Sequence, residues 1–581
     1  MKNVITGYII VLAKTERTHI MEQKLYNGYT FPLEITDYNR AYFEEVKAEA
    51  EKLYDEPVRS LTYSTFKIYK ETGSREEYEQ EYMLHRKMLC AFSAMVYAEQ
   101  GDKWMDKLCD AIWAVCDEFT WVLPAHIMNH QNTPETIATG RIDLFAGETA
   151  IALSEIYHIL GDRLPKIIRQ RIEYELERRI INPYIAMKPK FGVSNWSGVC
   201  ACGVVCAFVY MSKDKGFAEA KDRILANLKD FLDSFPEDGC CLEGSLYWFY
   251  GFSHFCFAAE LLRQYTNGEI DYFRDEKVKR IAFFANNMYL EDNYCLSFSD
   301  SPHRYDFDLG IMCFLAKKYE GITVPPLKYA AKFANDARYR YAPFVRNLYW
   351  ACGLTEAKKK SGYVFYDKSE WYINHKEGFS FAAKAGHNNE PHNHNDVGSF
   401  LVFTDGKYIL DDIGWSRYVA NYFGPARYTH DAPASRSHCV PLIDGCEQPE
   451  GTRFKGVVTA ADADTFAFDY ETAYDVPALE KLSRRFEIND DSVVIKETAK
   501  GDIKSLVYRF VTRIKPEVRD GKVYIDEFVL SCKQNAEISV SSFEFEPRFA
   551  GFGSEAPMYT AYRIDFAVEN ISENEFELKR A

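Results

Sequence analysis

No stretch of this 581-residue chain approaches the roughly 20 consecutive apolar residues that a membrane helix needs, so a soluble protein with no membrane partner is expected. Positive charge is also in short supply. Asp and Glu number 86 against 70 Lys and Arg, a formal net charge of −16. Such a surface repels polyanions at long range, which argues against nucleic acid as a partner and leaves room only for a local basic cleft. Cysteine is present but unpatterned. The fifteen residues, an odd number without regular spacing, give no disulfide framework; Cys200, Cys202, Cys206 and the Cys240–Cys241 pair lie in apolar surroundings that suit buried thiols. A reducing, cytoplasmic compartment is therefore expected. The N-terminus offers Lys2 and a short apolar run, Val4–Ala13, but a charged stretch follows and no small-residue cleavage site stands out, so a periplasmic or secreted location is the second reading. No strict internal repeat is visible, and pattern alone does not separate a helical toroid from an irregular helical domain.

What is present divides the chain in two. With 47% hydrophobic and 15% aromatic residues it can bury large cores, and its length suits two to four domains. From about Tyr38 to Arg340 apolar residues recur at helical spacing. Trp104, Leu108, Ala111, Ile112, Val115 and Phe119 form one stripe; Ile168, Ile172, Leu176 and Ile180 a second, stopped by Pro183; Phe217, Ala220, Ile224, Leu228 and Phe231 a third, stopped by Pro236. After about Trp371 the period becomes two. Gly378–Ala385, Ser399–Phe403, Lys407–Leu410, Ser492–Lys496 and Val523–Leu530 read as strands, with turn signals at Asp405-Gly406, Asn489-Asp490 and Asp520-Gly521, and Val540–Ala567 reads as more strands. The expectation is a multidomain α+β chain: a helical domain over residues 1–340 with an N-terminal extension, a connector at 341–370 and a large antiparallel β-sandwich at 371–581.

Five of the 13 histidines, His387, His392, His394, His430 and His438, crowd into the segment Gly386–Gly445 together with Asp396, Asp411 and Asp412. Imidazole with carboxylate is the ligand set of a divalent transition metal, zinc above all. On an extended strand His392 and His394 would point the same way. Were Asp405-Gly406 a two-residue hairpin turn, Asp412 would lie opposite Ser399, so His394 reaches it only if the chain curls back, with Gly398 as the pivot. Three places in the helical half are also candidates. Asn195 and Trp196 stand at the start of a helix, where an asparagine is most often a cap. Glu243 precedes Tyr247, Trp248 and Tyr250 in a Gly-punctuated loop. His126 lies at a helix-to-loop transition ahead of the acidic run Gly140–Glu148.

Four motifs, in order and in spacing, resemble those of the heparinase II/III-like polysaccharide lyases, which include glycosaminoglycan, heparin/heparan sulfate and alginate lyases. They are Ser194-Asn-Trp-Ser197, Asp238-Gly239 through Glu243 to Gly251, Pro391-His-Asn-His-Asn-Asp-Val-Gly-Ser-Phe400, and Ser437-His438 through Gly445. The resemblance implies an (α/α) toroid followed by an antiparallel β-sandwich, and a Zn2+ site at His394, Asp412 and His438. Asp412 is preferred to Asp411 because the family's aspartate precedes one residue and then glycine, as in Asp412-Ile413-Gly414; Cys439-Val440 depart from the Asn-Thr that usually follows the last histidine. It also implies a catalytic tyrosine at Tyr247, with Tyr250 as the alternative, a carboxylate-neutralising asparagine at Asn195, a catalytic histidine at His392 and a second active-site tyrosine at Tyr428. The zinc would fix the β-domain loop against the toroid rather than activate water.

The implied reaction is β-elimination on a uronic-acid polysaccharide: a glycosaminoglycan such as heparan sulfate, hyaluronan or chondroitin, or alternatively alginate. The C5 proton, α to the carboxylate, is a poor acid, and donors such as Asn195 and His392 would stabilise the enolate-like charge that its removal builds. Tyr247 would serve as acid and, as phenolate, as base, which its reference pKa near 10 permits only beside a cationic or hydrogen-bonding group. His392 or His126 would take the base role where the proton lies on the opposite face. Two other classes stand beside this one: a toroid glycoside hydrolase using Asp143 with Glu148 or Glu243 as its carboxylate pair, and a non-catalytic, zinc-stabilised carbohydrate-binding protein.

Overall fold

A computed structural model describes residues 25–99, 101–354, 356–357, 361–416, 422, 424, 426–546, 558–569 and 571–581. The Val4–Ala13 run and the middle of the expected strand region Val540–Ala567 lie outside these residues. Helices in the first half alternate along the chain between two burial patterns. Arg40–Leu53, Met105–Asp117, Lys166–Leu176, Asp214–Leu232 and Glu276–Met288 each bury a single stripe, as amphipathic outer helices do. Glu76–Ala98, Leu144–Leu160, Asn195–Tyr210 and Ser253–Tyr265, which follow or precede them in turn, are buried nearly all round. An inner ring of apolar helices enclosed by an outer ring of amphipathic ones is an α/α toroid. Among the described residues no helix is long and apolar enough to cross a membrane.

Two stripes differ in detail from the pattern reading. Phe119 is exposed instead of closing the first stripe. The second is not stopped by Pro183: a π-turn at Glu177–Ile181 shifts the hydrogen bonding, and Pro183 sits in the first turn of a further helix, Asn182–Met187, where its missing N–H costs nothing. The expected connector holds a helix, Tyr341–Tyr349, whose Tyr341, Phe344, Val345 and Leu348 join the helical core, and Gly362–Tyr366, the first strand of the five-stranded sheet.

The second half contains an antiparallel five-stranded sheet running from Gly362 to Leu410, an eight-stranded sheet and a four-stranded sheet. The five-stranded sheet lies between the two cores. Trp371, Ile373, Ala382, Leu401 and Phe403 belong to the helical core, whereas Tyr372, Phe381, Ala383, Phe400 and Val402 belong to the sandwich core, the period-two alternation of strands buried on both faces. One expected strand is two: Lys522–Ile525 and Phe528–Cys532 form a hairpin, turned by Asp526 at φ 53°. The halves are also clasped by Asp238. Its Oδ2 accepts from the Lys368 and Ser369 amides at 2.8 Å each, so this part of the Asp-Gly motif serves the interface and not the chemistry.

Candidate active site and metal cluster

The helix Asn195–Tyr210 is capped by Ser194, whose hydroxyl accepts from the Trp196 amide. Asn195 is thereby released from the cap role, and its Nδ2 donates to Glu243 Oε2 at 3.0 Å. Room for the asparagine comes from Gly251, where a Cβ would stand 1.8 Å from Asn195 Oδ1. The same Glu243 oxygen lies 3.4 Å from His392 Nε2. Tyr247 packs against His392, the two rings tilted by 34° with centroids 4.0 Å apart. Asn195, Glu243 and Tyr247 come from the helical half and His392 from the sandwich half, so this group spans the interface. Asn195, Tyr247 and His392 are only partly buried. Burial pushes the Glu243 carboxyl above the usual carboxylate range.

Tyr250 is engaged elsewhere. Its ring lies under the Arg340 guanidinium at 4.5 Å and its carbonyl accepts from His254, while burial holds its phenol well above the ordinary value. The intervening π-turn, Trp248–Phe252, rotates Tyr250 off the Tyr247 face. His126 stands beside Trp196 (5.0 Å between rings), with Nδ1 2.7 Å from Asp143 Oδ2 and its carbonyl accepting from Arg141, so it is held by the helical half. Tyr428 accepts from Asn393 Nδ2 at 3.2 Å, against the loop that carries the histidines. Asp143 caps the helix Leu144–Leu160 through Oδ1, and Glu148 pairs with His254, so two of the three carboxylates considered for a hydrolase have structural partners.

His394, Asp396, Asp412 and His438 are buried and offer ligand atoms that all lie within 4.8 Å of one another. Gly398, at φ 92°, turns the chain back as the hairpin argument requires; an added Cβ there would also press on the Tyr470 ring at 3.3 Å. The hairpin itself carries a bulge after the Phe403–Tyr408 pair, and the strand ends at Leu410. Beyond it, Asp411 and Asp412 part company: Asp411 binds His303 (2.8 Å) and Arg513 (2.6 Å), while Asp412 faces His438 (3.2 Å). His438 Nε2 bonds the Ala432 carbonyl at 2.8 Å, so that in the neutral ring Nδ1 is an acceptor; it faces Asp412 and, at 3.7 Å, Asp396. His394 Nδ1 and Asp396 Oδ2 are buried without a hydrogen-bond partner. Two imidazoles and two carboxylates whose ligand atoms converge in this way can hold a metal ion. Asp396 thus stands where a three-ligand set would leave its fourth position open.

No family model matches the sequence, and no curated protein does. Solved structures do match. One of heparinase III gives a TM-score of 0.66 at 13% identity over 97% of this chain and 88% of that one. A heparan sulfate lyase from Pedobacter heparinus gives 0.59 at 14% identity over 94% and 88%. A chondroitin AC lyase from Streptomyces coelicolor A3, in complex with chondroitin sulphate, gives 0.56 at 11% identity over 96% and 81%. The chain has the heparinase III fold. At such identity the likeness is one of fold, and what the site does rests on its own residues.

Within that fold, sequence reasoning missed Asp300, which accepts from His392 Nδ1 at 2.6 Å and contacts His394 Nε2 at 3.2 Å. A single aspartate among serines, in Ser297-Phe-Ser-Asp-Ser301, carries no periodic or spacing signal. Contrary to the strand picture, His392 sits in a loop at φ 56°, and the two histidines meet through Asp300 instead of through a shared strand face. Lys384 was also missed. It is buried and bonds Asp396 at 2.8 Å.

The same loop carries a pH-sensitive group. Burial pushes the Glu390 carboxyl up to about 7, with Asp396 and Glu370 adding to the rise and Lys384 opposing it. Its folded pKa lies above the unfolded one. The stabilisation is therefore complete below the unfolded pKa and is lost as pH rises through about 7. Thermal melts between about pH 5 and about pH 8 should show the wild type losing on the order of 1 to 3 kcal/mol more than Glu390→Gln. Parallel slopes for the two proteins would remove Glu390 from the account.

Proposed function

We propose that this chain is a polysaccharide lyase that cleaves uronic-acid-containing polysaccharide by β-elimination, leaving a 4,5-unsaturated uronide. The observation that carries the reading is the convergence, across the interface, of Tyr247 on His392 and of both Asn195 and His392 on one carboxylate oxygen of Glu243. Residues far apart in sequence and drawn from two domains have no packing reason to meet as a tyrosine, a histidine and an amide around a carboxyl group. A pair of donors already facing a carboxylate suits the uronate of the substrate.

In this reading Asn195 and His392 take the charge that develops on the uronate as the C5 proton leaves, among partly buried groups where such bonds count for more than in open water. Tyr247 moves the proton: its phenolate takes it from C5, and its hydroxyl gives one to the C4 oxygen as that bond breaks. The fit of His394, Asp396, Asp412 and His438 supports Zn2+ as the resident ion. Bound there, zinc supplies a fixed divalent charge that holds the histidine loop in place. No disulfide joins cysteines among the described residues, in support of a reducing, cytoplasmic setting.

Purified chain incubated with heparan sulfate, hyaluronan, chondroitin and alginate should raise ultraviolet absorbance with at least one of them, in step with the appearance of new reducing ends. New reducing ends without absorbance would make it a hydrolase. Binding without either product would make it a carbohydrate-binding protein. Which polymer responds fixes the substrate, between glycosaminoglycan and alginate.

A further inference from the structure

Asp300 belongs to the helical half, in the loop that follows the short strand Tyr294–Cys295, and it is completely buried. Its carboxylate is nevertheless surrounded by donors from the other half. Oδ2 takes His392 Nδ1 at 2.6 Å and lies 3.5 Å from Arg427 Nη2; Oδ1 faces His394 Nε2 at 3.2 Å and the Tyr422 hydroxyl at 3.4 Å. Arg427 also donates through Nε and Nη2 to the Asn393 carbonyl, gripping the one residue that separates the two histidines. His392 itself is held at φ 56°, a backbone conformation that a side-chain-bearing residue keeps only where its surroundings enforce it.

We propose that Asp300 is a positioning residue that orients both histidines with one carboxylate, fixing a proton on His392 Nδ1 and on His394 Nε2. Held by Oδ1, His394 carries its proton on Nε2, which turns the Nδ1 lone pair, buried and otherwise unpartnered, toward Asp396, Asp412 and His438. Held by Oδ2, His392 carries a proton on Nδ1, which aims Nε2 at Glu243 and the substrate; the proton that Nε2 offers the uronate is a second one, on a ring that the Asp300 carboxylate keeps oriented as it does so. A histidine that binds metal is ordinarily oriented by a carboxylate or carbonyl on its other nitrogen. Here that carboxylate does the same for the neighbouring catalytic candidate, so metal site and cleft share one anchor across the interface. The His392 half of this inference rests on the lyase reading above; the His394 half does not.

Asp300→Asn is the discriminating variant, because an amide keeps the shape but has one acceptor oxygen and one NH2 donor. It can accept from one histidine only and must present N–H to the other, which forces that ring into the opposite tautomer. The expected results are a zinc affinity about 10- to 100-fold weaker, read by competition with a chromophoric chelator, and a kcat about 10- to 100-fold lower per zinc-loaded site with KM little changed. A merely structural aspartate would lower the melting temperature but leave both quantities, normalised to folded and zinc-loaded protein, where they were; that outcome would overturn the proposal. The wild type offers a check that no folding defect can spoil. In 15N-histidine-labelled, zinc-saturated protein, imidazole shifts should report His392 protonated on Nδ1 and His394 on Nε2, and either ring in the other tautomer would sink the idea. Were no polyuronide cleaved at all, the lyase reading would fail, while the zinc affinity and the imidazole shifts would still decide the role of Asp300.

Discussion

Tyr247→Phe should lower turnover by about 10²- to 10⁴-fold, the range over which a positioned acid or base ordinarily contributes, while the melting temperature and substrate binding stay close to wild type. The phenylalanine ring can keep the packing against His392, whose centroid lies 4.0 Å away, so that only the hydroxyl is lost. The matching control is Tyr250→Phe. Its ring rests under Arg340 and its backbone carbonyl, not its hydroxyl, takes the His254 bond, so its loss should touch stability more than rate. Initial rates followed by product absorbance, set beside equilibrium binding of an oligosaccharide to each variant, separate the two effects. Retained activity in Tyr247→Phe together with a collapse in Tyr250→Phe would reverse the assignment, and retained activity in both would move proton transfer to a histidine.

The division into a helical and a strand half was legible because period 3.6 and period 2 are written locally: Ile224, Leu228 and Phe231 need only one another to mark a buried helix face. The curl at Gly398 was legible for a different reason, since a hairpin register leaves His394 and Asp412 apart unless something turns. Other features depended on what the chain meets after folding. Whether Tyr247 or Tyr250 faces the cleft is settled by a π-turn of five residues, an insertion that no side-chain pattern announces. Whether Asn195 is a cap turns on Ser194 doing that job first. Asp300 lies 92 and 94 positions from the histidines it touches, and a lone buried carboxylate has no signature until its partners arrive. The same holds for Lys384, an ordinary strand lysine by sequence that becomes the buried counter-charge of Asp396. Local order fixes the elements, and contacts between the halves fix the site.

Those contacts also make the metal cluster the point of greatest vulnerability. His438→Ala should abolish stoichiometric zinc binding and destabilise the sandwich half by on the order of 3 to 5 kcal/mol, the usual cost of breaking a buried ionic set by removing one partner. The reason lies in what remains. Asp396 and Asp412 are both buried, and Lys384, a buried cation, bonds Asp396 alone at 2.8 Å. Without a divalent ion two carboxylates and a histidine nitrogen face one another as acceptors, and the folded state must then take up protons or open to water, each of which costs stability. Metal content by elemental analysis, with melts before and after chelation, checks this: the wild type should lose stability on chelation and recover it with added zinc, and His438→Ala should respond to neither. Asp396→Asn sharpens the test. If Asp396 completes a closed set of four, the variant should bind zinc more weakly and lose part of the chelator response; if three ligands suffice, its affinity should match the wild type. Unchanged metal content in His438→Ala would remove the site altogether.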